Sequence, residues 1–211
     1  MFLWMWRLLD AESSLDSDLV RASKQIEKIQ NTNSSVCYSN YFVLEKKRKK
    51  IAYKNNLPEG IIKEKLLDTF CIGIVTMLIK RDILKKNNLK FNDKYEIIGD
   101  FDLFLKVSEF YNFCCIQEPL AFYRLHNENT SIKKFAVYIE ELKNWLHENK
   151  SQLKKQQLIK FVNNLDYKEI KFHIFMSQYK KALKNFFSPP FYFKKIKILL
   201  FFLLPKKYLR I

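Results

Sequence analysis

The sequence predicts an α/β chain with a helical extension, and three observations carry that prediction. Strand-like runs rich in aliphatic and aromatic residues occupy 36–44, 72–80, 112–116 and 120–125, the composition that packs a sheet. Between them, apolar residues recur at helical spacing over 19–30, 61–67, 81–87 and 100–110, so helices and strands alternate through residues 1–131. From 132 to 211 glycine is absent and long helical stripes replace the strands, which marks a second, helical region.

A chain of 211 residues suits one domain with an appendage, and 48% hydrophobic residues suffice for its core. Three scattered glycines, Gly60, Gly73 and Gly99, exclude a glycine-rich phosphate loop of the P-loop or dinucleotide-binding kind. Cys37, Cys71, Cys114 and Cys115 lack C-x-x-C spacing and a nearby histidine. They read as buried free thiols in a reducing compartment, not as a zinc site or a disulfide frame. The net charge of +16 calls for an anionic partner: nucleic acid, an anionic membrane surface or a diphosphate substrate. Lysine supplies most of it, and neither an aromatic–basic RNA platform nor a zinc finger is present, so nucleic acid is not the expected partner.

Residues 1–9 are apolar apart from Arg7, too short to span a bilayer and without the features of a signal peptide. They fit a buried strand or a frayed end. L-D-S-D at 15–18 then sets Asp16 and Asp18 one residue apart. At a strand end such a pair binds a divalent cation, and through it a diphosphate; the plainer reading is a solvated turn. Asp10 and Glu12 form a rival pair. The helix at 19–30 places Leu19, Ala22, Ile26 and Ile29 on one side. Lys46-Lys47-Arg48-Lys49-Lys50 lies between strand-like residues and reads as a solvated hairpin or loop, with a nucleic-acid patch as the alternative. Leu57-Pro58-Glu59-Gly60 punctuates the chain before the short helix at 61–67, the buried strand at 72–80 and the helix at 81–87.

The densest polar constellation lies at 96–131. Gly99-Asp100 reads as a turn into a helix whose buried face is Leu103, Phe104, Val107 and Phe110. Asp100 falls at or near the N-cap, where orphan N–H groups and the helix dipole keep a carboxylate anionic. That suits a general base, and it equally suits an ordinary cap. Two short strands, 112–116 and 120–125, follow, separated by Glu118-Pro119. Period-two alternation puts Arg124 and His126 on one face, where they meet a phosphate or carboxylate or form a structural pair.

Beyond Ser131, three helices are marked by Phe135, Ile139, Leu142 and Leu146, then by Leu153, Leu158, Phe161 and Val162, then by Ile170, Ile174 and Phe175. His147 and His173 lack acidic partners at ligand spacing and read as structural. After Ser188-Pro189-Pro190, residues 191–211 combine a seven-residue apolar run at 198–204 with flanking lysines. This tail fits an interfacial anchor on anionic headgroups, or a docked terminal helix with its cations exposed.

G-D-F-D-L-F-L-K at 99–106, followed by E-P-L-A-F-Y-R-L-H-N-E-N-T-S at 118–131, resembles the end of the catalytic domain of inverting family-2 glycosyltransferases, nucleotide-sugar enzymes with a GT-A fold. L-D-S-D-L leading to Lys24-Gln25-Ile26 resembles the family's acidic motif, with Leu19 where the family carries a third acid, no tryptophan after it, and a shorter gap to Lys24. The resemblance extends more loosely through the strand at 72–80.

The resemblance implies a mixed GT-A-like sheet flanked by helices over 1–131, with the helical extension at 132–211 bearing the basic, apolar tail. It implies that Asp100 deprotonates the acceptor hydroxyl, with Gly99 in place of the commoner Glu. It implies that Asp102, Arg124, His126 and Asn129 line the acceptor and diphosphate side, and that Asp16 and Asp18 hold a divalent cation, Mg or Mn. Family members carry nucleotide-binding strands before the acidic motif, and fifteen residues or fewer stand there in this chain, so a partial catalytic domain is expected. The implied activity is transfer of a sugar from a nucleotide-sugar donor to a surface glycan or lipid-linked acceptor, in the cytoplasm or peripherally on the inner face of the membrane. The alternative is a basic, noncatalytic module on a membrane surface or nucleic acid.

Overall fold

The computed structural model describes residues 2–4, 15–126, 134–188 and 198, with 2–4 and 15–17 described by their backbone. The chain divides into two compact units, Met1–Lys94 with Gly99–Asn127, and Tyr95–Ile98 with Glu128–Ile211.

The first unit is built on a mixed sheet flanked by helices, as the alternating pattern predicts. Its described elements are β1 (Phe2–Trp4), α1 (Leu15–Thr32), β2 (Val36–Glu45), β3 (Arg48–Ile51), α2 (Lys63–Asp68), β4 (Leu78–Lys80), α3 (Arg81–Lys86), α4 (Gly99–Phe110) and β5 (Phe113–Leu125). Strand β2 is the axis. One of its edges is shared by two antiparallel neighbours: β4 at its start (Val36↔Ile79, Cys37↔Leu78) and β3 at its end (Phe42↔Ile51 to Glu45↔Arg48). The other edge pairs in parallel with β5, from Val36↔Phe113 to Glu45↔Leu125, and β1 extends the sheet beyond β4.

Three expectations change. The segments 112–116 and 120–125 form one strand, because a register shift next to Ser39 and Asn40 absorbs Gln117 and Glu118. Pro119, which has no N–H to give, falls at that irregularity, where a ladder tolerates it. Only the end of 72–80 is a strand: Ile74–Thr76 coil into a 3-10 turn fixed by Thr76 Oγ1 donating to the Gly73 carbonyl at 2.7 Å. The helix set at 19–30 begins four residues earlier, and Leu19 is exposed. Its buried face is Asp18, Arg21, Ala22, Gln25 and Ile29, three of them polar. Ala22 and Ile29 of the expected stripe are buried and Ile26 packs against the core, but periodicity missed the polar members of that face, which are satisfied internally; Gln25 Nε2, for one, donates to the Thr76 carbonyl at 2.7 Å.

Between α1 and the sheet, Ile29, Cys37, Leu78 and Cys114 form a core cluster joined by Ile26 and Ile116. On the opposite face Tyr38 meets Phe113 edge-on at 6.4 Å. The run 46–50 joins and forms a hairpin, with all of β3 exposed, which agrees with the solvated reading. In α4, Leu103, Phe104 and Val107 are buried but Phe110, at the last position, is exposed.

The second unit holds α5 (Phe135–Asn149), α6 (Lys155–Phe175) and α7 (Tyr179–Phe187). Trp145 packs on Phe161 at 5.2 Å and Phe135 on Phe172 at 5.5 Å. Ile170 and Ile174 meet Ala182, Phe186 and Ile198 in one buried cluster. The segment Tyr95–Ile98 is fastened to α5 by the buried Glu141, whose carboxylate accepts the N–H groups of Glu96, Ile97 and Ile98 at 2.6, 2.9 and 3.0 Å. Among the described residues no helix is long and apolar enough to cross a membrane.

Candidate functional site

Helix α4 starts on Gly99, so Asp100 lies inside the first turn rather than at the N-cap. Its Oδ1 accepts the N–H of Phe101 at 2.7 Å. The side chain is half-buried, and burial pushes its carboxyl up to about 6, while the Phe101 and Asp100 N–H groups pull the other way. A carboxylate with that balance is ionised at neutral pH yet basic enough to accept a proton from a nearby hydroxyl.

The surroundings are aromatic. Tyr41 meets Tyr53 edge-on at 6.1 Å and Tyr123 at 6.4 Å. Burial raises the Tyr41 phenol, the Tyr53 hydroxyl opposes that, and the negative charge of Asp100 is one of the smaller contributions that raise it. Tyr53 donates its hydroxyl to the Phe70 carbonyl at 3.2 Å, and Phe70 packs on Phe101 at 5.5 Å, which links the tyrosines to the start of α4. Gly73 makes room for this cluster, since a Cβ there would stand 2.8 Å from Tyr41 Cε1.

Of the other expected site residues, Asp102 and Arg124 point away from this cluster. Asp102 is buried and ion-paired with Lys106 at 2.7 Å; two positions along a helix turn it about 200° from Asp100. Arg124 is paired in register with Leu44 and exposed. It follows Phe122, which stacks on Phe42 at 5.4 Å, whereas Tyr123 joins Tyr41. Strand alternation therefore sends Arg124 to the opposite face from the tyrosines beside Asp100. His126 follows β5 and is exposed. Asn129 lies outside the described residues, as do Asp10, Glu12 and the tail at 191–211 apart from Ile198.

Asp16 and Asp18 belong to the first turn of α1, not to a strand end. Positions two apart share a face on a strand but stand about 200° apart on a helix. Asp18 is buried against Arg21, with Oδ1 2.9 Å from Nη2. Burial lowers the Arg21 pKa and the charge of Asp18 works against that. Asp18, matched by Arg21, does not fit a divalent cation, and among the described residues no group of three or more His, Cys, Asp and Glu is placed to hold one.

Family models were searched with this chain and none matches, and the curated proteins likewise contain no match. The site therefore stands on its geometry. The tyrosine cluster and Glu141 were not singled out from the sequence. Tyr41 and Tyr123 come together only through the β2–β5 register, and Glu141, next to Glu140 in an amphipathic helix, reads as solvent-facing until its burial is seen.

Proposed function

We propose that this chain is a sugar-transfer module of the family-2 glycosyltransferase kind, with Asp100 as the base that activates an acceptor hydroxyl. The observation that carries this reading is a half-buried carboxylate in the first turn of α4, raised to about 6 and set beside Tyr41, within the G-D-F-D-L-F-L-K motif. It is supported by the order of elements around it, a mixed sheet with β5 running parallel to β2 and following α4 in the chain. A GT-A-like architecture is part of the proposal.

In this scheme the acceptor oxygen attacks the anomeric carbon of a nucleotide sugar while Asp100 takes the hydroxyl proton. The bond from that carbon to the diphosphate oxygen breaks with its electron pair on the leaving diphosphate, and the configuration inverts. Tyr41, Tyr53 and Tyr123 offer ring edges and hydroxyls to a sugar, the amphipathic surface that pyranose faces favour. Asp102, held by Lys106, supports the helix that carries Asp100 and touches no substrate in this scheme. No step is routed through a metal, since Asp18 is already matched by Arg21.

The test is a donor panel of nucleotide sugars with glycan and lipid-linked acceptors, read as nucleoside diphosphate released and sugar transferred. Transfer that falls by about a thousandfold in Asp100→Asn, with donor binding by calorimetry unchanged, supports the role. Transfer at the native rate in that variant, or no release from any donor by the native chain, removes the proposal.

A further inference from the structure

Helix α7 carries two apolar faces. Ala182 and Phe186 are buried with Ile170, Ile174 and Ile198. Alongside that seam, Tyr179, Leu183 and Phe187 recur at every fourth position and are exposed, by 46%, 43% and 74%. Phe175, the last residue of α6, and Met176, in the turn between α6 and α7, are exposed as well. Lys180 and Lys184 border the stripe on the side away from the buried seam, with Lys181 beyond them, all three exposed. No Asp or Glu follows Glu169 anywhere in the chain.

We infer that this face of α7 docks on an anionic lipid bilayer. Ring and aliphatic groups of the stripe enter the boundary between headgroups and acyl chains, a tyrosine sits at the level where its hydroxyl stays wet, and lysines reach sideways to the phosphates. Charge complementarity selects this occupant. A second copy of the chain would bring lysine borders to lysine borders with no acid to pair them, and a nucleic acid gains nothing from Leu183 at the centre of the contact. The sequence continues in the same chemistry, because residues 189–211 combine Lys194, Lys195, Lys197, Lys206 and Lys207 with apolar residues and no acid. The inference does not rest on the sugar-transfer reading.

Vesicle flotation of the full chain tests it, using vesicles of phosphatidylcholine alone and of phosphatidylcholine mixed with phosphatidylglycerol, at low and high salt. The native chain is expected to float with the anionic vesicles only, and less so at high salt. A Leu183→Glu, Phe187→Glu double variant with residues 189–211 intact is expected to lose binding by about tenfold or more. Ile61→Glu, at an 80% exposed position in the first unit, is expected to float as the native chain does. Lys180→Gln with Lys184→Gln, which leaves all packing in place, is expected to lose the salt-sensitive part of the binding. Circular dichroism verifies that each variant is folded, and Asp100→Asn is expected to float unchanged. Three results overturn the inference: no flotation of the native chain, native flotation of the Leu183→Glu, Phe187→Glu variant, or an effect of that variant on oligomeric state alone.

Discussion

A Cβ on residue 73 would stand 2.8 Å from Cε1 of Tyr41, and that ring is hemmed in by Tyr53 and Tyr123 at 6.1 and 6.4 Å. The contact ties a glycine ahead of β4 to the aromatic wall beside Asp100. Gly73→Ala is therefore expected to destabilise by about 1–3 kcal/mol through overpacking. Urea titration measures it as a lower midpoint at unchanged slope. A midpoint equal to the native one means that Tyr41 swings aside without cost.

The raised carboxyl of Asp100 makes stability depend on pH. Its folded value of about 6 lies above the ordinary aspartate value of 3.8. Below the unfolded value both states are protonated and the residue contributes nothing. As pH rises through that value toward about 6 the native state holds the extra proton, so stability falls, and above about 6 the whole cost is present. Asp100→Asn is then expected to gain up to about 2 kcal/mol at pH about 8 and nothing at pH about 3, in thermal melts. An equal gain at both pH values assigns the effect to packing instead of charge. If transfer is detected, its rate should rise with pH through about 6.

Asp18 and Arg21 form a buried pair whose members cannot be lost singly. Asp18→Asn removes the carboxylate charge 2.9 Å from the buried Arg21 guanidinium and is expected to cost about 3–5 kcal/mol, whereas Asp18→Leu combined with Arg21→Met costs far less. Denaturant titrations of Asp18→Leu, Arg21→Met and the double variant give the coupling. The same experiment decides on a cation: magnesium that stabilises the native chain and not Asp18→Asn would return Asp18 to a ligand role.

Glu141 is the fastening of the Tyr95–Ile98 segment, through three backbone donors and a buried carboxylate. Glu141→Gln replaces one acceptor oxygen with an amide that donates, opposite N–H groups that also donate. Amide exchange at Ile97 and Ile98 is expected to speed up by about tenfold to a hundredfold, corresponding to about 1.5–3 kcal/mol for lost charge-assisted bonds. Unchanged protection at both amides would show that the segment is held by something else.

All four cysteines are free and buried. Hydrogen bonding from Cys37 pulls Cys114 down to about 7, yet both sit in the core cluster under α1, out of reach of a bulky reagent. An aromatic disulfide reagent is expected to label none of them rapidly in the native chain and all four in guanidinium. Fast labelling of any one marks an opening that the fold does not show.

Much of the architecture was legible because it is local. The strand at 36–44, the hairpin at 46–50 and the helices at 81–87, 100–110 and 135–146 follow from apolar period and turn residues, and the structure places them within a few residues; the stripes at 153–162 and 170–175 instead belong to one helix, α6, and α7 was not marked. The misreadings share a cause. Asp16 and Asp18 read as a strand-end pair or a solvated turn because Asp18, Arg21 and Gln25, polar residues on the buried face of α1, interrupt the apolar period that marks a helix. The 112–125 region was split in two at Glu118-Pro119, since only the partner strand shows how a bulge keeps it whole.

The sequence by itself determined the alternation of strands and helices, the placement of Asp100 at the head of a helix, and a basic, acid-free C-terminal stretch, because each depends on neighbours along the chain. Tertiary structure alone decided that Tyr41 packs with Tyr53 and Tyr123 while Arg124 leaves from the opposite face, that Asp18 answers Arg21, and that α7 keeps a second apolar face uncovered. Those facts depend on strand register and on which side of a helix is buried, and a shift of one residue in either reverses them.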